Sequence, residues 1–563
     1  MSASEKKRKI SQENGNDLQS QEYPLSDRKS VAPRKVPKRR GEENSFQLSQ
    51  RDHWNTLVQK TFQLYESELT ERNGGKFHTS IALEIRRVLE EIKSKYCPTI
   101  GDVFVTGSND GCQLGGAVSV SVSRLTLFKQ LVDARIVHVT CGSMSNFILD
   151  QQGRVYSWGS SDKGALGRRT DTEADPDTEF KAIQITGFKP SRMAPAFKTI
   201  ANDDKSTNND ENDDTNILQV VAGGSHVLFL SNHGSVYVAG SYVMDNKSWR
   251  EEAPPDQPDQ DYTDTELYEG AAPRGFRDQP RHVYRLPQLV DKIFAGTSMS
   301  AARLVDGTLV TWGSDAKGEL GRGSTEENCE IVLNPKDKNE KKRAFDIMKH
   351  DFLVPKPVKY SPAIGKHIVL DVACGQNHML VVLREEDSFE TKVYGTGLNQ
   401  YGQLGLGDTT NRNVLTLLPD SIGKNIVSVS AGLFHSIFLD TTGHNIYTCG
   451  RCDSGQLGLQ ETTYEPGDFR NRLQQVLFDE ADPEQDLEFK SIAAGENSSF
   501  AVTRTGKLYS WGFGEMGQLG HGKEADQLQA TPISNFVKVG FVLEVSSGSQ
   551  HTIVLANRDM IKS

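Results

Sequence analysis

A glycine-led turn recurs six times in the chain, as GSNDGCQLG (107–115), GSSDKGALG (159–167), GSDAKGELG (313–321), GLNQYGQLG (397–405), GRCDSGQLG (450–458) and GFGEMGQLG (512–520). A second motif alternates with it, A-G-x-x-H before an apolar strand. It reads VAGGSH (221–226), ACGQNH (373–378), SAGLFH (430–435) and SSGSQH (546–551), with weaker copies at 140–145, 294–299 and 493–498. Short Val/Ile/Leu/Phe runs separated by Gly, Asp and Asn are the pattern of antiparallel strands joined by tight turns. A four-stranded unit cannot bury both of its faces alone, so units of this period stack radially. The expected fold is therefore all-β, a seven-bladed β-propeller over residues 101–557.

Successive turns lie 52, 81, 73, 84, 53 and 62 residues apart, so a unit near 50 residues carries insertions in three places. One turn breaks the rule. GSYVMDNKSWREE (240–252) opens like the others and never closes with G-x-L-G. A tolerated loop insertion is one reading; a projecting working element built on Tyr242, Asp245 and Trp249, residues untypical of flexible filler, is the other. The simplest role for His226, His378, His435 and His551 is structural, each ring tying a strand to a neighbouring turn. A direct chemical role is the alternative.

The flanks differ from the repeat. Residues 1–50 are rich in Ser, Gln, Lys and Arg and are expected to be a disordered basic tail. Residues 1–40 hold eleven Lys/Arg against five Asp/Glu, a balance of +6 that leaves −17 of the net −11 for the remainder. The clusters Lys6-Lys7-Arg8-Lys9 and Lys38-Arg39-Arg40 suit a nuclear-import signal or a phosphate-binding arm, and a merely solubilising tail is the bland alternative. Residues 51–97 are predicted helical, over 52–70 and 80–96. Leu83, Ile85, Val88, Leu89 and Ile92 form an apolar stripe that would pack on the main body or on a partner.

No stretch approaches the 18–20 apolar residues of a membrane-crossing helix, so no membrane partner is expected. Seven scattered cysteines suggest a reducing intracellular compartment. Cys449 and Cys452 form a lone C-x-x-C without two further ligands nearby, so no metal is expected. Acidic stretches at 171–179, 203–214 and 251–269 lack ligand spacing for Ca²⁺ and read as disordered surface loops. No nucleophile–base pair and no phosphate-binding Gly-Lys-Ser/Thr loop appears, which leaves a covalent enzyme or a cofactor without support.

AGGSH, VYSWG and GALGR, recurring at these intervals, resemble the regulator of chromosome condensation repeat family. That resemblance implies a seven-bladed propeller, closed by a blade that mixes strands from both chain ends. The basic tail, the replaced third turn, and GALGRRT, IYTCGR and YSWGFGE further resemble the family's fungal nuclear exchange factors for the small GTPase Ran. On that resemblance the chain would promote GDP release without covalent chemistry, supporting nucleocytoplasmic transport and mitosis. A non-catalytic scaffold of the same family is the competing reading. The GTPase-binding wedge would comprise Tyr242, Val243, Met244, Asp245, Asn246, Lys247 and Trp249. Asp110, Arg322, His435 and His551 would face the GTPase. Lys341, Lys342 and Arg343, in the 323–352 insertion, would meet the acidic patch of the nucleosome's core histones, a solvated charge run being the alternative. The tail would engage an import receptor, and DNA, giving a nuclear, chromatin-associated protein. Two acidic residues that the resemblance implies beside the wedge are absent: Gly224 and Ser298 stand in their places, Met299 replaces a histidine, and Val243 or Met244 stands near the wedge's basic position.

Overall fold

A computed structural model describes residues 99–558, apart from 117–120, 133, 171–174, 176, 189–214, 242–276, 284–285, 324–351, 386–387, 389, 460, 462, 479–486 and 534–539. The expected tail and helical segment lie outside the described residues. The repeat is a seven-bladed β-propeller of antiparallel sheets. Blades 2 to 7 begin at Ile136, Ile217, Val290, His367, Ile426 and Phe489. Blade 1 is composite: Phe541–Ser547 and His551–Asn557 join Asp102–Gly107 and Val122–Leu127. Asp102 faces Ala556 and Gly107 faces His551, so the two chain ends share one ladder. Blade 5 adds a short parallel strand, Tyr360–Ser361, beside Arg412–Leu417. No helix among the described residues is long and apolar enough to cross a membrane.

The apolar alternation buries side chains between neighbouring blades. Ile148 and Trp158 of blade 2 pack with Ile553 and Leu555 of blade 1, and Phe147 and Val155 pack with Phe229 and Tyr237 of blade 3. Each such side chain stabilises by about 1.5–3 kcal/mol relative to exposure.

Polar fasteners add to these clusters in three tiers. Deepest, every inner strand shifts register at one place, between Ile136/His138, Ile217/Gln219, Val290/Lys292, Val369/Asp371, Ile426/Ser428, Phe489/Ser491 and Val542/Glu544. A bulge turns the following side chain along the channel wall toward the next blade. Glu544 accepts from Val139 N at 3.1 Å, Gln219 from Ile293 N at 3.0 Å, and Asp371 from Val429 N at 3.1 Å. His138 Nδ1 meets Glu544 Oε1 at 2.9 Å while Nε2 donates to Val220 O at 2.8 Å, so this residue links blades 1, 2 and 3.

Burial opposes charge on His138, but Glu544 and the Val220 carbonyl outweigh it and raise the ring to about 8. A raised imidazolium contributes stability that is complete below about pH 6.5 and is lost as pH rises through 8. Glu544→Gln should therefore cost about 1 kcal/mol at pH 6 after solvent screening, and little at pH 9. Urea unfolding at the two values checks this; equal losses would show that the carboxylate acts only through Val139 N–H.

In the middle tier Ser546 Oγ accepts from Cys141 N, and Ser430 Oγ accepts from Ala494 N. Nearest the turns, each motif histidine reaches the following blade. His226, His378 and His435 bond Ser300, Ser436 and Ser499 at 3.0, 3.1 and 3.0 Å, and His551 bonds Asn146 at 2.8 Å. Ser436, Ser499 and Asn146 in turn donate to the carbonyls of Gln403, Gln456 and Gln113 in the G-x-L-G turns. Trp158 and Trp511 donate to Gln113 and Gln456 as well. The predicted structural histidine is thus realised, with the serine or asparagine as intermediary.

Burial lowers His226, His378 and His551 to about 3 and His435 to about 4. The unfolded chain then binds more protons than the folded one below pH 6.5. Stability is complete above that value and falls as the solution is acidified, by about 1.4 kcal/mol per ring per pH unit. Unfolding free energies between pH 7 and 5 should fall in this direction, the raised His138 offsetting part of the slope, and His435→Gln should flatten it by one ring's share. A level profile in the parent protein would contradict the assignment.

Candidate partner-binding face

The antiparallel order brings the A-G-x-x-H turns and the exits of the third strands to one face. In every blade the first residue after the third strand's glycine, or the equivalent one, donates its N–H to the carbonyl just before the histidine position. The pairs are Ser108–Gln550, Ser160–Met144, Ser241–Ser225, Ser314–Ser298, Leu398–Asn377, Arg451–Phe434 and Phe513–Asn497, at 2.7–2.9 Å. The exception at 240–252 keeps this anchor. Gly240 also pairs with Arg277 across the ladder, so residues 241–276 leave and rejoin blade 3 at one point of the turn face.

The regular turns are built from their own side chains. Asn109 and Asn399 accept from Leu114 N and Leu404 N at 2.8 and 2.9 Å, and Asp315 accepts from Leu320 N at 2.9 Å. Gln113, Gln403, Gln456 and Gln518 accept from the N–H two residues earlier. This explains Gln in G-Q-L-G, a cap that no periodicity argument reveals.

The A-G turns surround the channel mouth, a cavity of about 280 Å³ lined by all seven of them. Their glycines admit no side chain. A Cβ on Gly142, Gly375 or Gly432 would lie 2.5–2.6 Å from the glycine carbonyl oxygen of the next blade, at Gly223, Gly432 and Gly495. Of the fourteen variable positions in these turns, two per blade, Glu496 alone carries a charge. Its Oε1 accepts from Ser143 Oγ at 2.8 Å, reaching past blade 1 to blade 2. Burial pushes its carboxyl above the ordinary range, partly offset by that hydrogen bond. No Lys, Arg or His lines the cavity among the described residues.

Where the turns of blades 5 and 6 meet, the Tyr401 and Phe434 rings lie 5.1 Å apart. Arg451 sits 5.4 Å over Tyr401 and is held by Asp453 at 2.6 Å.

The expected site residues fall into separate groups. Asp110 is exposed on the turn face, its N–H held by Ser108 Oγ. Arg322 is buried, donating to the carbonyls of Thr311 and Val354, so its guanidinium clamps its own turn. Arg168 does the same in blade 2 through Thr178 O at 2.8 Å. His435 and His551 are wholly buried, and their rings present no atom to solvent. Gly224 and Ser298 stand at the mouth or beside it, carrying no charge, and Met299 lies in the apolar core. Tyr242, Val243, Met244, Asp245, Asn246, Lys247 and Trp249 lie outside the described residues, as do Lys341, Lys342, Arg343 and the basic clusters at 6–9 and 38–40. Cys449 is buried against Gln403 O at 3.4 Å, and Cys452 packs with Leu457 and Leu459. The 171–179 stretch is not a free loop at its end, because Glu179 accepts from Ser161 N at 2.8 Å and Lys181 pairs with Asp175 at 3.0 Å. Glu496 was hidden in a degenerate copy, AAGENS, where Ser498 replaces the histidine.

Comparison with known proteins follows the same contour. The human Regulator of chromosome condensation is 28% identical over 467 residues, covering 81% of this chain and 90% of that protein. Guanine nucleotide exchange factor SRM1 of Saccharomyces cerevisiae is 26% identical over 482 residues, covering 78% and 85%. A crystal structure of Prp20p from Saccharomyces cerevisiae, described with its binding properties to Gsp1p and histones, superposes with a TM-score of 0.61 at 23% identity, covering 83% of this chain and 94% of that one. With residues 102–554 matching the RCC1-like domain from the composite blade's first strand to its last, the chain belongs to that family.

Proposed function

We propose that this chain is a guanine nucleotide exchange factor for the small GTPase Ran, acting in the nucleus on chromatin. The observation that carries the reading is the interrupted third blade. A 36-residue segment, 241–276, is pinned at both ends to the face on which all seven blades present their turns. The names of the human and yeast relatives support it. A GTPase holds its nucleotide through backbone amides, a lysine and Mg²⁺ around the phosphates. A surface that binds the nucleotide-free form better than the loaded one lowers nucleotide affinity by that difference, and no covalent step is needed. On this reading Tyr242 to Trp249 supply the wedge and Asp110 contacts the GTPase. The buried His435, His551 and Arg322 act by fixing the turns from which contacts are made. Lys341, Lys342 and Arg343 meet the nucleosome acidic patch, where an Arg fork can pair bidentately with carboxylates. The basic clusters at 6–9 and 38–40 engage an import receptor and DNA.

The test is release of labelled GDP from Ran with and without the protein. Acceleration at micromolar protein supports the reading, and an unchanged rate overturns it. A non-catalytic scaffold is the second reading, favoured by the uncharged Gly224 and Ser298 beside the wedge exit.

A further inference from the structure

We infer that Glu496 is the charge-bearing contact of the turn face, the group that receives a cationic side chain of the GTPase at the channel mouth. The inference rests on the exchange reading and names a chemistry for its centre. Three observations converge on it. Glu496 is the single charged residue among the fourteen variable turn positions. It lines a cavity of about 280 Å³ whose described lining holds no Lys, Arg or His, so its charge has no cation beside it. One oxygen is oriented by Ser143 Oγ at 2.8 Å, which fixes the carboxylate on the mouth instead of leaving it to sweep through solvent.

A carboxylate that has already lost part of its hydration gains more from an incoming ammonium or guanidinium than an exposed one does. Its position also suits the sequence's departure from expectation. Gly224 and Ser298 leave blades 3 and 4 without acids, while the same cavity receives one from blade 7. A partner domain seated over the mouth reaches Glu496 and the blade 3 exit together, since both belong to the one ring of turns. The ligand class is a protein-borne cation; a free metal ion would meet only one carboxylate here.

The experiment is GDP release from Ran by the full-length parent, Glu496→Gln, Glu496→Asp and Ser143→Ala, measured with binding of nucleotide-free Ran and thermal midpoints. Glu496→Gln should lower kcat/KM by roughly 30-fold with the midpoint shifted by less than about 2 °C, the loss expected of one buried, oriented charge pair. Glu496→Asp should recover part of the rate, and Ser143→Ala should reduce it several-fold. The parent's rate should fall as pH drops toward the carboxyl's raised range, whereas the Gln variant should show no such inflection. An active parent with an equally active Glu496→Gln overturns this inference alone. An inactive parent overturns the exchange reading and this inference with it. Parent activity that depends on added divalent metal at Glu496, with the GTPase's own Mg²⁺ held constant, also overturns it.

Discussion

Gly397→Ala is expected to destabilise the propeller by about 4 kcal/mol. Gly397 ends the third strand of blade 5 with φ +99°, a conformation that side-chain-bearing residues rarely adopt. A Cβ there would also fall on the Asn377 carbonyl oxygen, the backbone that receives Leu398 N at 2.7 Å. Neither atom can retreat, because Asn377 precedes the buried His378 that fastens blade 5 to blade 6 through Ser436. Gly365→Ala is the control. Nothing lies within 4 Å of its Cβ position, so its midpoint in urea should stay within about 0.5 kcal/mol of the parent. Comparable losses at the two sites would show that the turn face tolerates local rearrangement.

Replacing residues 243–249 by a short Gly-Ser turn should lower the rate of GDP release from Ran at least 100-fold, roughly 2.7 kcal/mol of lost transition-state stabilisation. The thermal midpoint should barely move. The reason is anatomical: Ser241 N–H remains on Ser225 O and Gly240 remains opposite Arg277, so the blade keeps its ladder. Stopped-flow release and a melting curve on the same preparation decide the matter. A retained rate would assign the segment to packing or to another partner. A collapse in stability would make it a structural part of blade 3.

The seven-fold repeat was legible because tight turns and close blade contacts admit few residues. Glycines such as Gly223 and Gly432 recur because a neighbouring carbonyl leaves no room for a Cβ, and that requirement repeats in six blades, serine side chains crowding Gly495 in the seventh. Composite closure could be anticipated only through the family resemblance, and the pairing of Asp102–Gly107 with His551–Asn557 realises it. The bulge tier could not be anticipated. Its members that reach the next strand, His138, Gln219, Lys292, Asp371 and Glu544, share a position and a task but no chemistry, since any polar group of sufficient reach will serve. Partner-facing residues were harder still. Arg322, His435 and His551 stand where motif copies place them, yet each is buried, and burial depends on packing that the motif does not state, as where His551 meets Asn146, 405 residues away. Glu496 lay in the copy that matched the motif least. In a repeat protein the framework is written in what recurs, while partner contacts are written in the exceptions.

The composite blade has a consequence for biosynthesis. Asp102–Gly107 emerges early, yet its ladder partner, His551–Asn557, is translated some 450 residues later. At 5–20 residues per second, the exposed N–H and C=O groups of that strand wait roughly 20 to 90 s for their mate. Blades 2 to 7 can form in the order of synthesis, each docking on its predecessor, but the ring cannot lock until the last strand clears the ribosome. The nascent chain therefore carries a receptive edge throughout translation, a place where a chaperone would bind or a neighbouring nascent copy would add its own terminal strand. Truncation before residue 551 would leave that edge open permanently, and such a product would oligomerise rather than simply lose one blade.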